Sequence, residues 1–151
     1  MIPKQTQQLI TRWRLGHIAT VTPGGRPSVS PKGTFLVVDD NTIAFGEIRS
    51  PQTVSNLTHN PECEVNFVDA FTRSGARLRG TAQMIRPETP DFDTLIPRFR
   101  EVWDELCDRM TLIVKINVRE VKPLTTPLYD DGVTEAELIA LYKAKYAEIY
   151  P

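Results

Sequence analysis

Between residues 17 and 48 the chain lays down four short extended runs separated by connections too short to hold a helix, and this constrains the fold more than any other feature. Residues 17–22 (HIATVT) are rich in β-branched side chains and run into Pro23-Gly24-Gly25, a strong turn signal; extended character resumes over residues 27–31. Residues 35–38, the turn Asp39-Asp40-Asn41 and residues 42–48 repeat the pattern. Strands joined by such tight turns pair antiparallel, because a parallel pair needs a crossover of a dozen residues or more. A doubly wound α/β sheet is therefore disfavoured.

The rest of the chain adds helices around more strands. Leu9, Ile10, Trp13 and Leu15 sit at near-helical spacing and stop before Gly16, a residue favoured just past a helix end. Val54, Leu57 and Thr58 share one face of a helix of about two turns, which His59-Asn60-Pro61 terminates because a residue before proline disfavours the helical region. Cys63, Val65 and Phe67 alternate with Glu62, Glu64 and Asn66, and after the loop from Phe71 to Gly75 alternation returns over residues 76–85. Residues 91–110 carry Phe92, Leu95, Ile96, Phe99, Val102, Trp103 and Leu106 at helical intervals, and residues 112–121 alternate again. Thr134 and Glu137 have the spacing of a capping box, with Leu138, Leu141, Tyr142 and Ile149 behind them. The pattern predicts a mainly β fold: six or seven antiparallel strands curled into a small barrel, which hides their edges, with short helices packed outside.

A chain of 151 residues with 40% hydrophobic and 25% charged residues is the right size for one domain, residues 1–151. Its net charge of −1 provides no global attraction to nucleic acid or an anionic membrane, so neither is an expected partner and any anion recognition must be local. Cys63 and Cys107 are far apart and lack the spacing of a disulfide framework or zinc knuckle, which predicts buried free thiols. The N-terminus lacks the apolar core of a signal peptide, and no apolar run reaches the ~20 residues of a spanning helix. A cytoplasmic protein is the expectation. His17 and His59 have no acid or nucleophile at a relay spacing, Pro61 spoils a His59–Cys63 chelate, and no metal site is assigned.

Two stretches could carry chemistry. Arg49-Ser50-Pro51-Gln52-Thr53 places a guanidinium and a hydroxyl where a helix begins, so it reads either as an ordinary capped helix start or as a phosphate site using the open N–H groups. Ser30-Pro31-Lys32-Gly33-Thr34 puts two hydroxyls, a lysine and a permissive glycine at the end of one strand; it is either a connection with a solvated lysine or a surface that a planar ligand can approach. Arg77 and Arg79 share a strand face, either as a solvated pair or with Arg77 near a ligand.

Taken in order, "IATVTPGGRPSVSPKGTF", "TIAFGEIRSPQTVSNLTHNPECEVNFVD", "RLRGTAQMI" and "PLYDDGVTEAEL" resemble the FMN-binding split-barrel family typified by pyridoxamine 5'-phosphate oxidase, especially its small FMN-binding members. The resemblance runs from Leu15 almost to the end of the chain. It implies a split β-barrel that forms a homodimer with FMN at the subunit interface. By the same resemblance Val29, Ser30, Pro31, Lys32, Gly33 and Thr34 face the flavin ring, and Glu47, Arg49, Ser50, Gln52 and Thr53 hold ribityl and phosphate. Arg77 is a further cofactor candidate, and Tyr129, in Pro127-Leu128-Tyr129-Asp130, is expected to approach the partner's flavin pocket.

This sequence departs from the oxidase proper. An arginine opens the second strand there and an Arg-Lys pair enters the short helix, where this chain has Pro27 and Gln52-Thr53. No basic and aromatic set suits pyridoxamine phosphate, so that oxidase activity is not expected. The implied function is an FMN-dependent oxidoreductase acting on a small molecule; the alternatives are an FMN carrier or electron-transfer protein, or a relative that binds deazaflavin or haem.

Overall fold

A computed structural model describes all of residues 1–151. Helix α1 (Lys4–Trp13) is followed by strands β1 (Gly16–Val21), β2 (Pro27–Lys32), β3 (Phe35–Asp39) and β4 (Thr42–Glu47). Helix α2 (Pro51–His59), β5 (Glu62–Val68), β6 (Gly75–Ile85), α3 (Pro90–Trp103), β7 (Leu112–Leu124) and α4 (Glu135–Ile149) complete the chain, with 3-10 turns at Asp104–Arg109 and Pro127–Tyr129. All seven strands expected from alternation are present. They form one antiparallel sheet in the order β2-β1-β5-β6-β7-β4-β3.

That order makes β2 and β3 the two edges although only Gly33 and Thr34 separate them in sequence. From Lys32 to Phe35 the backbone reaches at most about 11 Å. The sheet must therefore curl until its edges converge. They do not zip together by a ladder, and the result is the split barrel: mainly β, seven-stranded, with peripheral helices. Each edge is blunted differently. Pro27 and Pro31 remove donors from β2, whereas β3 is covered by α3, whose Arg98 guanidinium donates to the Val37 and Val38 carbonyls at 2.8 Å each.

Side chains on the concave face of the sheet, among them Ile18, Phe35, Phe45, Val65, Phe67, Leu78, Val114 and Ile116, fill the barrel, and Ile2 of the N-terminal segment, Ile10 of α1 and Leu57 of α2 plug it. A second core lies outside, where Leu95 and Phe99 of α3 pack on Leu36, Ala44 and Ile113. Strand β4 is thus buried on both faces, which explains why its sequence shows little polar alternation.

Two local expectations are corrected. Helix α1 ends earlier than Leu15: Arg14 takes the left-handed conformation (φ 59°) that closes the helix, and Gly16 opens β1 instead. A Cβ on Gly16 would lie 2.7 Å from Phe67 and 2.8 Å from Phe35, so glycine is required there by packing. The expected helix over residues 91–110 also breaks. Asp104, at φ 45°, interrupts the ladder, and the 3-10 turn that follows tucks Cys107 and Met110 beneath α3. Both cysteines are free and buried, and burial pushes the Cys63 thiol up to about 12. No helix is long and apolar enough to cross a membrane.

Candidate functional site

The two stretches singled out in the sequence meet where the barrel is split. Strands β3 and β4 pair from Phe35 opposite Phe45, and one residue further the ladder passes to a side chain. The buried Thr34 hydroxyl donates to the Gly46 carbonyl (2.8 Å) and accepts from the Gly46 N–H (3.1 Å). This stitch pins the Gly33-Thr34 connection against the end of β4. A cleft of about 160 Å³ results, with Pro31, Lys32, Gly33 and Thr34 on one side and Gly46, Glu47, Ile48, Arg49 and Ser50 on the other. A side chain at Gly33 would meet nothing within 4 Å, so the main chain is open to a ligand at this point.

The cleft is charged inside. Lys32 is only 8% exposed; its Nζ donates to Ser30 Oγ at 2.6 Å and lies 5.9 Å from the centre of the Phe45 ring. Burial lowers its pKa from the ordinary lysine value, and the nearby Glu47 carboxylate works in the opposite direction. Glu47 is 3% exposed. Its main-chain carbonyl accepts from the Thr111 N–H (2.8 Å), and its carboxylate accepts from both the N–H and the hydroxyl of Ser50. Arg49 is exposed and takes part in none of the chain's ion pairs.

Ser50 occupies the N-cap position of α2 but makes no side-chain cap; its hydroxyl is turned to Glu47, to which it donates. Pro51 has no N–H to satisfy, and no acidic residue lies in the first turn. The N–H groups of Gln52 and Thr53 therefore keep the positive end of the helix open, which is the donor chemistry a phosphate takes up. The helix is held in place from its other side: Gln52 Nε2 donates to Asn56 Oδ1 (2.7 Å), and Asn56 Nδ2 donates to Thr20 Oγ1 of β1 (3.0 Å). Thr53 is buried. An open helix start, a free guanidinium and a buried ammonium beside exposed main chain fit the phosphate and ring of FMN.

Not every expected residue is here. Val29 lies further back on β2, 66% exposed. Arg77 is on β6, 3.8 Å from Glu64, which also binds Arg79 at 2.6 Å. Tyr129 donates its hydroxyl to the Thr72 carbonyl (2.6 Å) of its own chain and is tied to the loop between β5 and β6. Sequence reasoning missed Gly46 and Ile48, which line the cleft, and Thr111, which fixes the end of β4. Gly46, next to Glu47, was visible as the smallest residue of its strand; Thr111 carries no local signal. A larger cavity of about 420 Å³ lies between α1 and the β5–β6 loop, beside Arg12, Asp69 and Thr72. It contains none of the expected residues. Burial raises the Asp69 carboxyl, but the N–H groups of Thr72 and Phe71, then Trp13 and Arg12, outweigh it and hold the group below the ordinary aspartate range.

Comparison with known proteins agrees with this architecture. A family model described as pyridoxamine 5'-phosphate oxidase matches residues 2–125. No curated protein matches the chain. Among solved structures, HupZ of Group A Streptococcus is similar at 26% identity and a TM-score of 0.72, covering 83% of this chain and 96% of that one. An FMN-binding protein from Syntrophomonas wolfei (13% identity, 82% and 86% coverage, TM-score 0.68) and an F420 reductase (20%, 80% and 98%, 0.63) share the fold. Tyr129 and α4 lie beyond the matched segment. With a match over most of its length and a split-barrel sheet, the chain belongs to the pyridoxamine 5'-phosphate oxidase family.

Proposed function

We propose that this protein is an FMN-binding flavoprotein, acting as an FMN-dependent oxidoreductase on a small molecule. The observation that carries the reading is the Thr34–Gly46 stitch, which brings Lys32 and the open main chain at Gly33 against Arg49 and the uncapped start of α2. Arg49 and the N–H groups of Gln52 and Thr53 hold the phosphate; residues from Val29 to Thr34 face the ring. Bound FMN supplies the electron-transfer chemistry, and the chain supplies binding, orientation and charge. Titration of the protein with FMN, followed by flavin absorbance and fluorescence, tests the reading, and failure to bind at micromolar concentrations would refute it. Oxidation of NADH or NADPH by the FMN-loaded protein separates an enzyme with a nicotinamide donor from an electron carrier.

Lys32 keeps a positive charge beside the ring, which favours the reduced, anionic cofactor. Lys32→Ala is expected to lower the midpoint potential of bound FMN by about 30 mV for each 1.4 kcal/mol of charge stabilisation removed. Potentiometry checks this, and an unchanged or raised potential would remove Lys32 from that role.

The site is completed by a second copy of the chain. A cleft of about 160 Å³ is smaller than the roughly 300–1,000 Å³ of small-molecule sites, so one chain offers part of a flavin pocket. A two-fold pair is the commonest way to supply the remainder, and Arg77 and Tyr129, outside the cleft of their own chain, are available to a partner's. Sedimentation of the FMN-loaded protein is expected to give a dimer at micromolar concentration; a monomer with FMN bound would overturn the shared site.

A further inference from the structure

Resting on the flavin reading above, we propose that Glu47 sets the specificity of the cleft, weakening its preference for a phosphorylated flavin over an unphosphorylated one. The geometry is unusual for a phosphate site. A carboxylate, almost wholly buried, already accepts from both the N–H and the hydroxyl of Ser50, the first two donors at the start of α2. Those donors are unavailable to a ligand unless Glu47 lets go. Thr111 N–H and Oγ hold the same residue's main-chain carbonyl at 2.8 and 3.2 Å, which fixes the backbone from which the carboxylate reaches Ser50.

A phosphate at α2 must therefore be carried by Arg49 and the N–H groups of Gln52 and Thr53 alone, next to a fixed negative charge. Lys32 on β2 and Arg49 after β4 are the cations that line the cleft, and Glu47 cancels one of them. The Glu47 carboxylate opposes the phosphate and leaves the ring contacts between Val29 and Thr34 untouched. The preference of this protein for FMN over riboflavin is then smaller than Arg49 and the open N–H groups would give without Glu47.

The test is the ratio of FMN to riboflavin affinity in the parent, in Glu47→Gln and in Glu47→Asp, at one ionic strength. Gln keeps the shape and an acceptor for Ser50 but removes the charge. Glu47→Gln is expected to raise the ratio roughly tenfold, the size of one like charge removed several ångströms away at a protein surface, with the gain in FMN affinity exceeding any change in riboflavin affinity. Glu47→Asp keeps the charge and is expected not to tighten FMN. Thermal melts of the three proteins report whether each variant is folded. An unchanged ratio in a folded Glu47→Gln, a fall in it, or equal tightening by Glu47→Asp would overturn the proposal while riboflavin binding leaves the flavin reading standing. Absence of binding by either flavin to any of the three would overturn both.

Discussion

Arg49→Ala is expected to weaken FMN binding about 10- to 150-fold while leaving riboflavin binding nearly unchanged. The figure follows from losing one charge-assisted hydrogen bond, roughly 1.5–3 kcal/mol. Arg49 is exposed and unpaired within the chain, so the cofactor-free protein has no contact to lose, and its thermal midpoint should hardly move. Riboflavin lacks the phosphate and serves as the internal control. Equal losses for both flavins would assign Arg49 to shaping the cleft; no loss for either would leave "EIRSPQT" as a strand end followed by a helix. Both titrations belong at one stated ionic strength, because salt screens an exposed cation.

Phe35→Ala should have the largest effect on the fold itself. Phe35 is fully buried, meets Phe45 and Phe67 edge to face at 5.0–5.1 Å, and occupies the space that Gly16 leaves free. Truncating it removes about 3–5 kcal/mol, a fall in thermal midpoint of roughly 6–20 °C at this chain length. Phe35 also begins the edge strand that the Gly33-Thr34 connection positions, so FMN affinity should fall with stability. Chemical denaturation gives the comparison directly: a lower midpoint with an unchanged slope marks a loss of stability alone. A variant as stable as the parent would mean that the aromatic cluster is not what holds the barrel closed.

Much of this was written locally. Period-two alternation and the turns at Pro23-Gly24-Gly25 and Asp39-Asp40-Asn41 specified seven strands and their antiparallel sense, since both depend only on side-chain direction and loop length. Asn60 before Pro61 ended α2 where a pre-proline residue must turn extended, and it does so at φ −137°. Local signals failed where a distant contact decided. Gly16 looked like a helix terminator because a glycine often is one, but its place is set by Phe35 and Phe67. Helical spacing continued through residues 104–110, yet the chain breaks at Asp104 (φ 45°) and turns back to bury Cys107 and Met110 against Leu95 and Phe99 of α3.

The site divides along the same line. The sequence by itself singled out residues 30–34 and 49–53 as stretches that could carry chemistry, because lysine, arginine, hydroxyls and glycine at strand ends are legible one residue at a time; Val29 and Glu47 entered only through the family resemblance. It did not contain their relation. Only the tertiary structure decided that Thr34 would bond to Gly46, that Ser50 would turn from capping α2 to hold Glu47, and that Arg77 and Tyr129 would lie away from their own chain's cleft. The physical reason is the curl of the sheet: β2 and β3 are neighbours in sequence but opposite edges in space, and bringing them together places the end of β2 against the end of β4, a contact that no spacing along the chain encodes.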